Sequence, residues 1–595
     1  MLKPIKSVSM ALMAAAITGM PLFAVPVEAH AEVAAVQQAG VVKGVIKDDA
    51  GQPAIGAVVF VVGTKNSATT DVDGTFTLKN VQKGATIRIS LIGYKRQDVK
   101  WDGGALNVTL ESLDNSFEEV VVTAMGIARK EKSLTYATQQ IKNDEFMKVQ
   151  DPNLVNSIEG KVSGVTITPS AGGAGGASKI ILRGNKSIMG NNQPLIVVDG
   201  IPMTNNTRGQ MDGTGDIAVL NSTAVSEGSD PLSQINPDDI ESMNIQKGAN
   251  AAALYGSAAA NGVVMITTKK GKEGKLDVNF TSNVTFDTPL LTPEIQDRYG
   301  AHINGTSIGM NSWGPALGNT DNHYTLRSAD GKEVYLRDKA YDDISDFYRL
   351  GVTTNNSISL SGGTEKIRTY VSYANSHANG MIRTNNYNRN TFAFRQSYKF
   401  FNRVTIDVNA NYVQTVTRNR TSGGFVLNPI YDLYTAPRNV DMRYYKDNYE
   451  GYGTWTSAAQ NGWLMDPSKG DNFVWGSKTY QLTGPMQQWA INNAGNNNPY
   501  WLMNMNQGKD KEDRFYGYFQ GKVDIWDGLA FQARVSLDHT KFSSESHRYA
   551  TTQLPSSKDD FGHYWLNNQK ANELYTDYLL SYNKTFGDWS VSATA

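Results

Sequence analysis

Val404-Thr405-Ile406-Asp407-Val408-Asn409-Ala410-Asn411-Tyr412 (residues 404–412) alternates apolar and polar side chains without a slip. Successive side chains of a strand point to opposite faces, so one face here avoids water and the other seeks it. The period recurs in Leu276-Val278-Phe280 and Val284-Phe286, set against Asp277, Asn279, Thr281, Asn283 and Thr285. It recurs again in Phe531-Ala533-Val535-Leu537, set against Gln532, Arg534, Ser536 and Asp538. A soluble β-sandwich alternates in the same way with its polar face in bulk water, so period alone leaves two architectures open.

The connections narrow the choice. Strands are expected near 275–287, 353–363, 366–377, 388–400, 403–416, 512–525, 529–541, 574–585 and 588–595. Every second connection is tiny: Gly363-Thr364-Glu365, Phe401-Asn402, Trp526-Asp527-Gly528 and Gly587. The intervening ones are longer, and the fifth runs from about 417 to 511. Short turns on one side and long loops on the other characterise outer-membrane barrels, with the short turns periplasmic. Nine strands do not close a plugged barrel, which takes about 22. An open edge in lipid leaves backbone groups unpaired at several kcal/mol each. The chain is therefore expected to be the amino-terminal part of a protein of roughly a thousand residues.

Bulk properties agree with an exported β protein. The chain has 595 residues, too many for one core. Its net charge of −1 gives no reason to expect nucleic acid, and the absence of cysteine excludes disulfides, thiolate zinc and a lipidated amino-terminal cysteine. A mean hydropathy of −0.40 does not argue against a barrel, because only alternate residues meet lipid. Residues 1–31 read as a signal peptide: Lys3 and Lys6, an apolar stretch from Met10 to Val25, then Ala29-His30-Ala31. No later segment is long and apolar enough for a spanning helix, so any span is β.

Residues 40–112 carry short alternating strands (VVKGVIKD, GAVVFVVG, GTFTLKN, ATIRISLIG, LNVTLES) separated by turn pairs such as Asp73-Gly74 and Lys83-Gly84. Five or more such strands predict a small sandwich. The pattern from Gly44 to Ala57, followed by TTDVDGTFTL, resembles the carboxypeptidase-regulatory-like domain. Asp71-Val72-Asp73-Gly74 reads as a hairpin turn and not as a calcium loop, since its glycine falls too early for an EF-hand.

Between this module and the next lies Glu118-Glu119-Val120-Val121-Val122-Thr123, within residues 113–130. It is a β-branched segment with no hairpin partner evident beside it. Such a strand suits β-augmentation, the donation of its backbone to another protein's sheet edge.

Residues 131–272 are expected to be mixed α/β. Leu195 to Val198 read as a buried strand ended by an Asp199-Gly200 turn, Asn250 to Tyr255 as a short helix stopped by Gly256, and Gly262 to Thr268 as a second buried strand. Five strings follow in order: LRG (with Arg183 and Gly184), PLIVVDGIP (Asp199, Gly200), DDIES, KGANAAALYG (Tyr255, Gly256) and ANGVVMITTKKG (Asn261, Gly262). This succession resembles the plug of TonB-dependent outer-membrane transporters of the SusC/RagA family. The Gly-rich run from Gly172 to Lys179 lacks a GK[ST] ending and reads as a mobile plug loop, not a phosphate cradle. Arg183 reads either as a ligand residue or as a polar contact that seats the plug against the barrel wall.

The resemblance implies a mainly β protein: a small β-sandwich, a mixed α/β plug, and, over 273–595, the first nine or so strands of an incomplete transmembrane β-barrel. It implies an outer-membrane importer in contact with lipid. Residues 118–123 would be gripped by TonB, itself driven by inner-membrane motor proteins, and a SusD-like lipoprotein would act as a lid. No catalytic set, metal site or cofactor motif is visible. Cargo is expected to be a nutrient oligomer, an oligosaccharide first and a peptide as the alternative. A signalling receptor and, from another class, a secreted adhesin are further alternatives. In the fifth connection Tyr452, Trp455, Trp463, Trp475 and Trp489 are candidates for stacking sugar rings, the competing reading being that they pack the loop.

Overall fold

The computed structural model describes residues 40–111, 120–122, 128–130, 138–146, 151–169, 173–187, 192–203, 230–247 and 252–595. Within these blocks it leaves out 50, 65, 92–93, 152, 305–306, 310, 319–323, 328–332, 337, 422–425, 458–459, 466–472, 492–494, 555–556, 559–560 and 588. The signal segment, Glu118, Glu119 and Thr123 fall outside the described residues. The chain divides into two compact units at Glu118/Glu119.

The first unit is a sandwich. One sheet orders Thr75–Val81, Gly40–Lys47 and Val108–Thr109; the other orders Ser67–Thr69, Val58–Val61, Thr86–Ser90 and Gln97–Lys100. Alternate residues Val42, Ile46, Val59, Phe76, Leu78, Ile87 and Ile89 meet in its core. Neither expected turn pair closes a hairpin, because the strands flanking each belong to different sheets. Asp71 shapes the first of these corners: its carboxylate accepts from the Thr75 backbone N–H (2.8 Å) and hydroxyl (2.6 Å). Local turn signals do not say which sheet the next strand joins.

In the second unit, Val120–Val122 is not solitary as expected. It pairs antiparallel with Ala128–Lys130, Val121 lying opposite Arg129. The two strands form a sheet of their own among the described residues.

The plug is built on a five-stranded sheet ordered Thr138–Lys142, Ile240–Gln246, Val263–Thr268, Leu195–Val198 and Ile201–Met203. Val263–Thr268 is central and nearly all buried, which suits its β-branched run. It runs parallel to Leu195–Val198 and antiparallel to Ile240–Gln246. Asp199 and Gly200 make a two-residue hairpin with φ of 49° and 83°, the positive pair that a primed turn requires. Ala252–Tyr255 is helical, but Gly256 bends the path into a further turn, Gly256–Ala259, where a full stop was expected.

Nine antiparallel strands follow in consecutive order: Gly274–Asp287, Gly351–Gly363, Ile367–Asn379, Asn386–Phe400, Val404–Arg418, Gly508–Trp526, Leu529–Arg548, His563–Phe586 and Trp589–Thr594. They are called here the first to ninth wall strands. The short connections are 364–366, 401–403, 527–528 and 587–588, each within one residue of the expected length. At the opposite end the sixth, seventh and eighth strands overrun their expected limits, the eighth by 11 residues, from 574 back to His563. Beyond the lipid band both faces turn polar, so the ladder continues while its sequence signal fades.

Burial is inverted relative to a soluble sandwich. Asn409, Asn411, Thr415 and Thr417 are buried, whereas Phe280, Ile358, Phe392, Phe519 and Val535 are exposed. Phe401, Trp526, Phe586 and Trp589 gather in exposed positions at the short turns, as an interfacial aromatic girdle does. The first and ninth strands stand at opposite ends of the sheet and do not pair.

The long first and fifth connections share a core. Leu336, Phe347, Leu433, Met442, Tyr445, Trp489, Tyr500 and Met503 are among its buried members. The fifth connection holds the helices Pro429–Thr435, Met442–Asp447 and Pro499–Met505 and two hairpins, so it is a folded cap where a loop was expected.

Candidate functional site

The site is the seam between plug and wall. The Asp199 carboxylate accepts from the Thr268 N–H (2.9 Å) and hydroxyl (2.6 Å), locking the turn to the end of the central strand. From the fourth wall strand Arg395 reaches the same carboxylate at 3.1 Å, and from the fifth Asn409 donates to it at 3.2 Å. Arg534, on the seventh strand, donates to the carbonyls of Asp199 (2.8 Å) and Gly200 (3.0 Å) and pairs with Asp577 at 2.7 Å. Arg514, on the sixth, donates to Gln234 at 2.8 Å while pairing with Asp538. Arg389 donates to the Ser233 carbonyl, Tyr370 to Asp239 at 2.8 Å, and Ser357 to Asp238.

Each wall residue lies on the polar phase of its strand, which faces the plug. The seam is therefore rich in hydrogen bonds and charges, with Tyr516 of the wall packed against the plug core beside them. Buried ion pairs contribute little net stability when intact, because desolvation offsets attraction, but losing one partner costs about 3–5 kcal/mol. Such a seam is specific without being adhesive.

The Gly-rich run is seated here as well, contrary to the expectation of a mobile loop. Gly175, Gly176, Ala177 and Ser178 are buried. Gly175 has φ +80°, and a Cβ on it would stand 2.3 Å from the Tyr387 ring. The Ala174 N–H donates to Asn385 at 3.0 Å, and the Ser178 N–H donates to the buried Asp230 at 3.0 Å.

Of the residues singled out in the sequence, Asp199, Gly200, Tyr255 and Gly262 come together. The Tyr255 hydroxyl lies 3.5 Å from the Gly200 carbonyl, and the Gly262 carbonyl accepts from Leu195. Gly256 (φ 68°) and Asn261 flank them. Arg183 and Gly184 do not join this group. Both are exposed with positive φ, and the Arg183 N–H donates to the Gly164 carbonyl, one rung beyond the pairing of Val165–Thr168 with Lys179–Leu182. The seating role weighed for Arg183 falls instead to wall arginines that the sequence reading passed over. A signal existed: Arg395, Arg514 and Arg534 are cations in mid-strand on the phase opposite the aliphatic one.

The cap aromatics divide. Trp489 is buried, donates to Asn496 at 2.7 Å and meets the Tyr445 ring edge-on at 4.9 Å, so its place among the sugar-stacking candidates is withdrawn. Tyr452 is 73% exposed on the hairpin Glu450–Thr456/Gln481–Gln487, with Trp455 half-buried on the other face of that ribbon. Trp463 and Trp475 stand directly opposite each other in the hairpin Gln460–Met465/Phe473–Lys478.

Comparison with known proteins accords with this geometry. Residues 130–263 match the family described as TonB-dependent Receptor Plug Domain, and 42–122 match the CarboxypepD_reg-like domain. The chain is 32% identical over 390 residues to TonB-dependent receptor SusC of Bacteroides thetaiotaomicron, covering 65% of this chain and 35% of that protein. It is 24% identical over 545 residues to TonB-dependent receptor P3 of Formosa agariphila, covering 90% of this chain and 45% of that protein. The chain thus spans less than half the length of these relatives. In fold it is similar to a structure of the RagAB peptide importer in its closed-closed state (TM-score 0.50, 16% identity, covering 78% of this chain and 47% of that one).

A sheet plug pinned to the polar face of lipid-facing antiparallel strands defines a TonB-dependent receptor. Within that class, the chain is similar in sequence to the SusC type and in fold to the RagA type.

Proposed function

We propose that the whole protein imports nutrient oligomers across the outer membrane, with TonB supplying the force. The observation that carries this reading is the polar seam around Asp199, Arg395 and Arg534. A plug that must move is better held by exchangeable charged hydrogen bonds than by an apolar core. Water entering the lumen can replace the former at modest cost, but it cannot replace buried apolar contacts.

In this reading further strands close the wall, since a nine-stranded sheet leaves two edges in lipid. Residues 118–123 are the handle. Val120–Val122 pairs along one edge with Ala128–Lys130 and, among the described residues, offers the other for strand addition by TonB. Residues 1–31 direct export, 40–112 form a periplasmic module, 131–272 the plug, and a SusD-like lipoprotein covers the cap. No covalent chemistry is required.

Oligosaccharide is the favoured cargo, with exposed Tyr452 as the first candidate contact and Trp455, Trp463 and Trp475 near it in sequence. Peptide is the alternative. Deleting 118–123 from the full-length protein should abolish uptake while leaving heat-modifiable assembly intact. Normal uptake by the assembled deletion variant would overturn the TonB reading.

A further inference from the structure

Where the fifth to eighth wall strands rise into the cap, they enclose a cavity of about 350 Å³ together with the turn before the fourth strand. That volume lies in the range of small-ligand sites. One side is aliphatic, formed by Ile382, Leu427, Leu502 and Met503. The rest is polar, and its charge is unbalanced.

On the seventh strand Arg534, Ser536 and Asp538 face the plug or its neighbours, so Ser544, Ser546 and Arg548 share that inward phase. Glu545 and His547 lie on the opposite phase and pair with each other at 3.2 Å. Both line the cavity but are engaged with each other, so the charges left to it are Arg383, Arg420 and Arg548 against Asp510. Arg420 pairs with Asp510 at 3.4 Å, and Arg548 lies 4.9 Å over the Trp565 ring and 2.9 Å from the His563 ring nitrogen.

Arg383 has no carboxylate partner among the described residues, and its buried Nε has no hydrogen-bond partner. Another cation feels it: burial, and then Arg383 itself, push the Arg349 guanidinium below its ordinary pKa. Asn506 adds a second orphaned donor. Its Oδ1 accepts from Tyr549 (3.1 Å) and Thr552 (3.3 Å), while its buried Nδ2 has no partner. The Thr421 hydroxyl is orphaned in the same cavity. Buried donors left without acceptors are destabilising. Three orphaned groups around one cavity mark the place where acceptors are to be supplied from outside.

We propose that this cavity binds a carboxylate of the cargo, received by Arg383 and Asn506, with the adjoining part of the cargo lying on the Ile382–Met503 side. The proposal rests on the import reading and narrows it to acidic cargo. A planar carboxylate matches the guanidinium fork, and the aliphatic side accepts a sugar ring's C–H face or an apolar side chain. The source of the carboxylate, a uronic acid or a peptide terminus, is separated by the test.

The full-length protein, purified from outer membranes in detergent, is titrated calorimetrically with four probes: trigalacturonate, its methyl ester, trileucine and its terminal amide. One acid should bind at least about tenfold more tightly than its neutral counterpart, the loss expected when a charged hydrogen bond is removed. The uronate arm supports acidic oligosaccharide and the peptide arm supports a peptide's carboxy terminus. Arg383→Gln should erase the difference and Arg383→Lys should keep part of it, while Lys446→Gln on the cap surface leaves it whole. If Arg383→Gln loses heat-modifiable assembly, Asn506→Leu takes its place and should weaken the same acid. Equal binding of acid and neutral forms, no binding by either acid, or full discrimination in Arg383→Gln would each overturn the proposal. TonB plays no part in this assay, so a failure here with uptake still dependent on 118–123 sinks only this inference.

Discussion

Arg395 and Asp199 form an ion pair of 3.1 Å across the boundary between wall and plug, with side-chain exposures of 7% and 5%. The carboxylate also receives two bonds from Thr268. Asp199→Asn should leave Arg395 uncompensated and weaken plug seating by about 3–5 kcal/mol. The check is hydrogen exchange: amides of Leu195–Val198 and Val263–Thr268 should lose protection in the variant. Arg395→Met combined with Asp199→Asn should cost less than the sum of the single changes, since the pair is coupled.

Gly175 and Gly164 both have positive φ, at 80° and 65°, but only Gly175 stands against a ring. Alanine at Gly164 meets open space and should cost only backbone strain, about 1–2 kcal/mol. Alanine at Gly175 adds a clash with Tyr387 and should unseat residues 173–178. Limited proteolysis should then cut Gly175→Ala within that run and spare Gly164→Ala.

Burial holds the Asp432 carboxyl well above the usual carboxylate range; the Asn497 N–H opposes this only in part. Among the described residues its carboxylate pairs with no cation; it accepts from Asn496 at 3.0 Å and from the Asn497 N–H at 3.2 Å. A raised folded-state pKa means that the native cap binds more protons than the unfolded one. The contribution of Asp432 is therefore fully present below the ordinary carboxylate pKa and is lost as pH rises through the raised value. Cap unfolding, followed by the fluorescence of buried Trp489 and Trp501, should shift to lower temperature over that rise. Asp432→Asn should flatten the dependence.

Val535 is 46% exposed on the lipid-facing phase of the seventh strand. Arginine there should cost about 2–4 kcal/mol near mid-membrane and reduce heat-modifiable assembly. Lysine at Gln532, on the inward phase, should assemble normally. The reverse outcome would mean that the faces are assigned the wrong way round.

Trp489→Ala should destabilise the cap by about 3–5 kcal/mol, the usual cost of emptying a large aromatic site. Tyr452→Ala should change cap stability by less than about 0.5 kcal/mol and lower cargo affinity. Thermal unfolding and calorimetric titration, run on both variants, separate packing from binding.

What could be read from the chain followed the strength of the constraint. At Val404–Tyr412 and Phe531–Leu537 lipid on one side and plug on the other enforce strict alternation, and the turn-side strand ends were legible to within a few residues. At His563–Glu573 neither solvent demands a phase, and the strand was missed. The Asp199-Gly200 turn announced itself by residue type alone. The partners of Asp199 did not, because Arg395 and Arg534 lie 196 and 335 residues away and only the strand register of the wall brings them near. Pairing of Val120–Val122 with Ala128–Lys130 was likewise hidden, since ARK carries no β-branched signature.

The order of strands in the plug gives it a mechanical grain. The chain leaving Ala128–Lys130 enters the plug at Thr138–Lys142, an outermost strand whose five residues pair in the sheet with Ile240–Gln246 alone. Asp199 lies on the opposite flank of that sheet, beyond two intervening strands, bolted to the wall. If residues 118–123 are the handle, as proposed above, a pull on them would load the five-residue pairing of Thr138–Lys142 more directly than the Asp199 contacts on the far flank. The plug would give way along one margin and stay tethered by the other, ready to refold in place once the pull ends.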